Sequence, residues 1–311
     1  MLTVLAPGLL TTVQDRGRPG WASIGVTRSG VADRPAADLA NRLVGNDAAA
    51  AVLEATAGGL QLHAGRTLLV AVTGAPAPVT VDGRSAPFDA PLMLRTGQVL
   101  GLGMPPVGLR SYVAVRGGID VPTVLGSRST DTLSGLGPAP LRAGDVLPVG
   151  GAAAEEPVVD VAPVRAPSVQ PVLRVLTGPR RDWLVPAAWS LLTSADWVVT
   201  ADSNRVGLRL AGPRLERART DELPSEGLVA GAVQVPPDGA PVLFLADHPV
   251  TGGYPVLAVV GTADLAAAAQ LRPGDRMRFR AARRHPHCQS GDRIGSTAGP
   301  DGPWTTWARA P

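Results

Sequence analysis

The sequence predicts a mainly β fold made of two related halves with a few short helices. Glycine and proline make up about 22% of the 311 residues, against roughly 12% in an average protein, yet 45% of the chain is hydrophobic. This combination is typical of many short strands joined by tight turns around a real core. Aromatic residues are only 4%, so valine, leucine and alanine must fill most of that core.

The division into halves rests on a turn-plus-strand pattern that occurs twice. Residues 140–150 read PLRAGDVLPVG and residues 270–280 read QLRPGDRMRFR. In both, Leu-Arg-x-Gly-Asp forms a turn that leads into an alternating apolar run. The apolar openings at 2–5 and 173–176 are also alike. We therefore expect each half to begin and end with the same strand arrangement.

Four regions follow from this pattern and from local composition. The expected regions are an N-terminal barrel half (1–150), a linker (151–171), a C-terminal barrel half (172–281) and a flexible basic tail (282–311). The linker is rich in Ala, Pro, Val and acidic residues and has no periodicity. The tail has four arginines against two acidic residues.

Strands are expected where Val- and Leu-rich runs are bounded by Gly, Pro or Asp. The candidate strands are 67–74, 79–83, 110–118, 196–202, 240–247 and 254–261. Helices are predicted at 33–44, 186–194 and 264–275. For the first helix we expect Asp33 as the N-cap and Gly45 as the terminator, and for the third we expect Asp264 as the N-cap.

The chain contains no lysine, so all 29 basic residues are arginine. This excludes a lysine Schiff base, a Walker-type phosphate loop and a kinase-type Lys–Glu pair. The net charge of +3 is small, and no stripe of arginines with interleaved aromatics indicates nucleic-acid binding. One cysteine excludes an intrachain disulfide, and neither a signal peptide nor a membrane span is predicted. We expect a soluble cytoplasmic protein that binds neither nucleic acid nor membrane.

The stretch 11–46 has the densest cluster of polar residues placed between glycines. Its chemistry-bearing members are Gln14, Asp15, Arg18, Ser29, Asp33, Arg34 and Asn41. Glycine lets backbone N–H groups and a carboxylate approach a small ligand closely. The alternative is turn chemistry, in which Asp15 and Asp33 cap turns and the arginines are solvated.

Two further stretches have the residue types of a strand-end site. Residues 201–212 place Asp202, Ser203, Asn204 and Arg205 just after a predicted strand, although a hairpin turn would need similar residues. Residues 222–260 contain Ser225, Glu226, Gln234, Asp238, Asp247, His248, Thr251 and Tyr254. Burial could make Glu226 or Asp247 a general base, whereas an ion pair between Glu226 and an arginine is the structural alternative.

Weaker signals complete the set of candidates. Arg128, within Gly-Ser-Arg-Ser-Thr (126–130), could bind an anion or lie in an ordinary polar loop. His285, His287 and Cys288 resemble metal ligands but stand in the predicted tail, so we expect no metal site.

Six long motifs resemble one known family. They are 8–21, 29–46, 111–130, 141–150, 225–239 and 251–260. Together they resemble the carboxyltransferase-type family that includes allophanate hydrolase subunit 2, the Kip antagonist protein and the C subunit of the bacterial 5-oxoprolinase. The resemblance covers residues 1–281 in order, without large gaps. It implies two cyclophilin-like β-barrel halves.

The resemblance also implies a function that depends on other proteins. The family's members work with a subunit 1 (Kip-inhibitor-type) partner, and in 5-oxoprolinase also with a lactam-utilisation-type subunit. That complex opens 5-oxoproline to glutamate using ATP, and we expect ATP to bind mainly outside this chain. The substrate would be a small lactam or amide.

Two other functions remain open. One is biotin-dependent carboxyl transfer, as in urea amidolyase. Many relatives have lysine after Gly-Gly-Tyr-Pro, where this chain has Val256, so this alternative is disfavoured and we expect no biotin on this chain. The other is a non-catalytic module that antagonises a kinase-inhibitor partner.

We predict a groove between the N-terminal motif and residues 225–255. Asp15 and Glu226 would be the catalytic or orienting carboxylates. The residues expected to bind substrate are Gln14, Arg18, Ser29, Arg34, Asn41, Arg128, Arg205, Gln234 and Thr251. An arginine guanidinium can hold a carboxylate or phosphate through two hydrogen bonds.

Overall fold

The first half of the chain folds into two antiparallel sheets around a shared core. The computed structural model describes residues 1–151, 157, 161–162 and 167–282. The strands of this half are β1 (Leu2–Pro7), β2 (Leu10–Gln14), β3 (Val52–Thr56), β4 (Leu60–Ala64), β5 (Leu68–Gly74), β6 (Val79–Val81), β7 (Arg84–Ala86), β8 (Pro91–Leu94), β9 (Val99–Leu102), β10 (Arg110–Val115) and β11 (Val146–Leu147). One sheet has the order β11-β1-β4-β9-β6-β7 and the other β2-β3-β10-β5-β8. Val4, Leu62, Val72 and Val113 are among the buried residues between them.

The second half closes into a seven-stranded barrel. Its strands are β12 (Val172–Thr177), β13 (Asp196–Val199), β14 (Gly207–Ala211), β15 (Glu226–Gly227), β16 (Ala232–Gln234), β17 (Val242–Phe244), β18 (Thr251–Gly252), β19 (Val256–Val260) and β20 (Arg276–Ala281). The barrel order is β12-β19-β16-β17-β14-β13-β20, and a parallel pairing of β12 with β20 closes it. β15 and β18 pair separately. The predicted mainly β fold class is therefore confirmed.

Helix α1 (Arg34–Leu43) forms where the sequence predicts it and packs on the outer face of the second sheet. Asp33 is its N-cap, because its Oδ1 accepts a hydrogen bond from Ala36 N at 3.1 Å. Gly45 follows the helix with a φ of 71°, the left-handed conformation that glycine adopts readily. Ala40 and Leu43 are buried in the cluster that also contains Tyr112.

Helices α2 (Pro186–Ser194) and α3 (Thr262–Ala269) belong to the second half. The predicted bounds of α2 are confirmed, but both predicted bounds of α3 (264–275) and its predicted cap are wrong, because the helix begins at Thr262 and ends at Ala269. Gly261 is the N-cap of α3 and supplies no side-chain cap. Asp264 instead lies in the first turn and accepts hydrogen bonds from Arg174, including one from the backbone N at 2.7 Å. The hydrogen bonds from Arg174 therefore occupy this carboxylate, which does not cap the helix.

Parts of two predicted regions lie outside the described residues. Of the predicted linker, 152–156, 158–160 and 163–166 are not described. The predicted tail is described only at Ala282, so the candidate ligands His285, His287 and Cys288 also lie outside the described residues. Within the part of the chain that the structure describes, no helix is long and apolar enough to cross a membrane.

Asp89, just before β8, is a carboxylate in an unfavourable position. Its Oδ1 is buried without a hydrogen-bond partner, and burial raises the pKa of the carboxyl group to about 6. Between pH 4 and pH 6 the folded chain therefore holds a proton that the unfolded chain has released. Under that condition the free energy of unfolding falls as the pH rises.

We expect Asp89→Asn to remove this pH-dependent cost. Asparagine also tolerates the positive φ of 55° found at this residue. The variant should gain about 1–2 kcal/mol of unfolding free energy at pH 7 and much less at pH 4. Thermal melts of both proteins at the two pH values measure the difference. An equal effect at pH 4 and pH 7 would contradict a role for ionisation.

Candidate functional site

A buried arginine joins the two halves of the protein. Arg205 lies in the loop between β13 and β14, and its guanidinium is 2% exposed. Its Nε donates to Asp247 Oδ2 at 2.9 Å, and its second terminal nitrogen donates to Gly30 O at 2.6 Å. Its other terminal nitrogen contacts Glu54 Oε1, on β3 of the first half. One cation therefore binds a carboxylate from each half.

The two carboxylates of this cluster have further donors. Glu54 Oε2 accepts from Tyr112 Oη at 2.8 Å and from Ala32 N at 3.0 Å. Asp247 accepts from Ser29 Oγ at 2.6 Å and from Thr132 Oγ1 at 2.7 Å. Burial alone would raise the pKa of Glu54 and of Asp247, but the neighbouring guanidiniums outweigh it and hold both below the ordinary range. Both groups therefore remain charged partners of Arg205.

Gln270 makes a second link between the halves. Its Oε1 accepts from the backbone N–H groups of Leu109 and Arg110, both at 2.9 Å. Its Nε2 donates to Asp33 Oδ2 at 2.7 Å. Asp33 thus caps α1 and also contacts the second half, so the position of this helix depends on the junction.

Asp15 organises a loop of the first half. Its Oδ1 accepts from Gly17 N, Ser127 Oγ and Ser129 Oγ, and its Oδ2 accepts from Arg128 N. The four distances are between 2.6 and 2.8 Å. Because its oxygens are already bound by the loop, Asp15 is placed as a structural anchor rather than as an exposed base.

Other predicted site residues of the first half also bind the scaffold. Gln14 donates to Thr130 O at 2.9 Å, and Asn41 donates to Ala50 O at 2.8 Å. Arg18 is buried against the carbonyls of Val124 and Ser129. Arg128 makes an ion pair with Asp120 at 2.6 Å.

A cleft of about 330 Å³ lies between the N-terminal motif and the second half. We call it the arginine cleft, because Arg16, Arg28 and Arg34 line it. Ser29 lies on the same side, while the facing side includes Leu245, Ala246, His248, Leu265 and the start of α3. Of the predicted substrate-binding residues, Ser29 and Arg34 line this cleft, whereas Arg16 and Arg28 were not predicted.

A second cavity of about 330 Å³ lies on the outer face of the barrel. We call it the barrel groove, and its lining includes Asn204, Arg209, Gln234, Phe244 and Tyr254. Strand alternation places Arg209 and Gln234 there, whereas Asn204 and Tyr254 come from loops. Leu208 and Leu210, on either side of Arg209, are buried in the barrel core, as is Val233 beside Gln234.

Several polar groups of the barrel groove have no partner within the described residues. Gln234 is 3% exposed, and its Nε2 donates to Tyr254 O at 2.9 Å, but no described residue donates to its Oε1. The Arg209 guanidinium and the Asp202 carboxylate, which also line the groove, likewise make no hydrogen bond or ion pair with described side chains. The groove therefore offers an acceptor, a cation and an anion around an apolar floor.

Val256 belongs to the apolar cluster beneath this groove. It is 6% exposed and is buried with Phe244, and Val206 and Val242 of the groove pack against the same cluster. Residue 256, where the family resemblance leads us to expect a lysine, is thus buried among apolar side chains.

Glu226 and Thr251 line neither the arginine cleft nor the barrel groove. Glu226 pairs with Arg180, whose side-chain hydrogen bonds hold the pKa of the carboxyl group below its ordinary value. Thr251 is exposed on β18, opposite Gly227. The predicted residues therefore divide among the scaffold, the two cavities and the β15–β18 strand pair. In the part of the chain that the structure describes, no cluster of His, Cys, Asp and Glu could hold a metal ion.

We expect Arg205→Met to be strongly destabilising. It would leave Glu54 and Asp247 buried without their shared cation, and breaking a buried ion pair on one side costs about 3–5 kcal/mol. Urea unfolding followed by tryptophan fluorescence measures the loss. Arg174→Met is the matched control, since it removes an exposed pair with Asp264 and should hardly move the midpoint. Equal effects of the two variants would contradict the importance of the buried cluster.

Known proteins resemble this chain over most of its length. The family described as carboxyltransferase domain, subdomain A and B, matches residues 24–281. The C subunit of 5-oxoprolinase from Escherichia coli is 38% identical over 90% of this chain and 90% of its own.

Solved structures give the same result. The crystal structure of TTHA0988 has a TM-score of 0.81 and 38% identity over 89% of this chain, which spans 55% of that protein. The crystal structure of the K. lactis urea amidolyase has a TM-score of 0.83 and 33% identity over 89% of this chain, which spans 18% of that protein. This chain belongs to the carboxyltransferase domain, subdomain A and B, family.

Proposed function

We propose that this chain is the C subunit of an ATP-dependent 5-oxoprolinase, a complex that converts 5-oxoproline to glutamate. The observation that carries the proposal is the similarity to the C subunit of E. coli 5-oxoprolinase over 90% of both chains. The larger urea amidolyase relatives resemble this chain over only a small part of their own length. The similarity to the 5-oxoprolinase subunit therefore spans nearly all of that relative, whereas the similarity to urea amidolyase concerns one segment of it.

The barrel groove offers the groups that a small lactam acid needs. The Arg209 guanidinium would hold the carboxylate, and Gln234 Oε1 would accept the lactam N–H. The ring would pack on Val242 and Phe244, which line the same groove. The hydrogen bond from Gln234 Nε2 to Tyr254 O fixes this nearly buried side chain, so its Oε1 is positioned to accept from a ligand N–H.

In this proposal the chain binds and orients the lactam while its partners handle ATP. One water adds to the lactam carbonyl and the ring C–N bond breaks, which frees the amine and the carboxylate of glutamate, and a second water is consumed as ATP is converted to ADP and phosphate. A Walker-type loop needs a lysine, which this chain lacks, so we place ATP mainly in other subunits. Those would be a subunit 1 (Kip-inhibitor-type) partner and a lactam-utilisation-type subunit.

Biotin-dependent carboxyl transfer is the weaker alternative. Val256 supplies no amine at the position where many relatives have lysine, and the residues around it are apolar. Because the chain contains no lysine at all, no other residue could supply that amine or carry biotin.

Reconstitution tests the proposal directly. We expect the complex to release glutamate from 5-oxoproline only when ATP and this chain are both present. Turnover that is unchanged when this chain is omitted would favour the non-catalytic antagonist. Carboxylation of urea by the chain with a biotin carboxylase and biotin carrier would favour the carboxyltransferase.

Arg209→Met tests where the lactam binds. Losing a charged hydrogen bond to the carboxylate should raise KM for 5-oxoproline about 10- to 100-fold, with a smaller change in kcat. Arg84→Met is the control, because Arg84 is exposed on β7 and does not line the groove. Steady-state kinetics of the reconstituted complex give both values, and an unchanged KM would remove Arg209 from the site.

A further inference from the structure

The arginine cleft concentrates positive charge without matching carboxylates. Arg16 has one described acidic partner, Asp38, at 2.8 Å. Arg28 and Arg34 make no ion pair with any described residue, and Arg28 only donates Nε to Arg16 O at 3.2 Å. Partial burial, followed by the charges of Arg16 and Arg28, lowers the pKa of the Arg34 guanidinium. Among the described residues, neither the Arg28 nor the Arg34 guanidinium is in contact with a carboxylate, and Asp38 only partly offsets the positive charge at Arg34.

The N-termini of helices α1 and α3 add to the positive potential of the cleft. Arg34 is the first residue of α1, where the partial positive charge of the helix N-terminus makes a cation unfavourable. Thr262 and Ala263, the first residues of α3, line the same cleft, and α3 has no side-chain cap. Asp264, which lies in that first turn, is already bound to Arg174. A bound anion would relieve each of these unfavourable charges.

The side of the cleft formed by the second half is largely apolar. Leu245, Leu265 and Ala266 line it. A free phosphate ion would use only the arginine side, whereas an organic phosphate would also bury its carbon skeleton here. Because two guanidiniums are unbalanced, a dianion matches the site better than a single carboxylate.

We propose that the arginine cleft is a second ligand site, separate from the barrel groove, which binds a compact organic phosphate. The phosphate oxygens accept hydrogen bonds from Arg28 and Arg34, and the organic group packs against Leu245 and Leu265. Arginine forms the paired hydrogen bonds that phosphate geometry favours. The site needs no 5-oxoproline, so its test is independent of the function proposed above.

Titration calorimetry on the full chain tests this site with three probes. The probes are phenyl phosphate, inorganic phosphate and benzoate, at constant ionic strength. We expect phenyl phosphate to bind at least tenfold more tightly than the other two. Binding of inorganic phosphate with equal affinity would overturn the organic part of the proposal, and equal binding of benzoate would overturn the preference for a dianion.

Variants assign the binding to this cleft. Arg28→Gln and Arg34→Gln should each weaken phenyl phosphate binding at least tenfold. Arg42→Gln, a control on the same helix that does not line the cleft, should change it less than twofold. Equal effects of the Arg34 and Arg42 variants, or no effect of Arg28→Gln and Arg34→Gln, would overturn the proposal.

Chemical modification gives a readout that does not depend on a variant folding correctly. Phenylglyoxal reacts with exposed arginines, and mass spectrometry can follow each of them in the wild-type chain. Phenyl phosphate should protect Arg28 and Arg34 but not Arg84, which is exposed on β7. Modification of Arg28 and Arg34 at an unchanged rate would overturn the proposal.

Discussion

The buried guanidinium of Arg205 holds the two halves of the protein together. It binds Glu54 from one half and Asp247 from the other, and all three side chains are almost fully buried. The desolvation of three charges is costly, so this cluster stabilises the fold only while every member is present. Ser29 contacts Asp247 and also lines the arginine cleft. The shape of that cleft therefore depends on the same cluster.

The two cavities differ in how they use charge. In the barrel groove, single polar groups stand on an apolar floor, which suits a small neutral ring with one carboxylate. In the arginine cleft, like charges and helix N-termini converge. The first arrangement selects a ligand by hydrogen-bond pattern, and the second selects by charge. If both proposed sites bind as we infer, the chain would hold two different ligands at once.

Local sequence patterns predicted the strands and helix ends that depend on neighbouring residues. The Val-rich run at 110–118 predicts β10, and the Asp33 cap predicts the start of α1, since each involves nearby residues. Arg205 and Glu54 are 151 positions apart, so no local pattern could reveal that the predicted substrate-binding arginine is a buried ion-pair partner. Asp15 was chosen for its residue type, yet Gly17 N and three donors from the distant segment 127–129 already bind it. Arg28 was missed because only the fold brings it beside Arg34.

Because Arg205 binds carboxylates from both halves, neither half can change alone at this junction. A substitution of Glu54 leaves Arg205 with Asp247 alone and removes the carboxylate that pairs with the buried Arg110 of the first half. A chimera that joins the first half of this protein to the second half of a relative should fold only when that relative has an arginine at the equivalent place. The ion cluster thus requires the two halves to be compatible in sequence at this junction, although each has its own hydrophobic core.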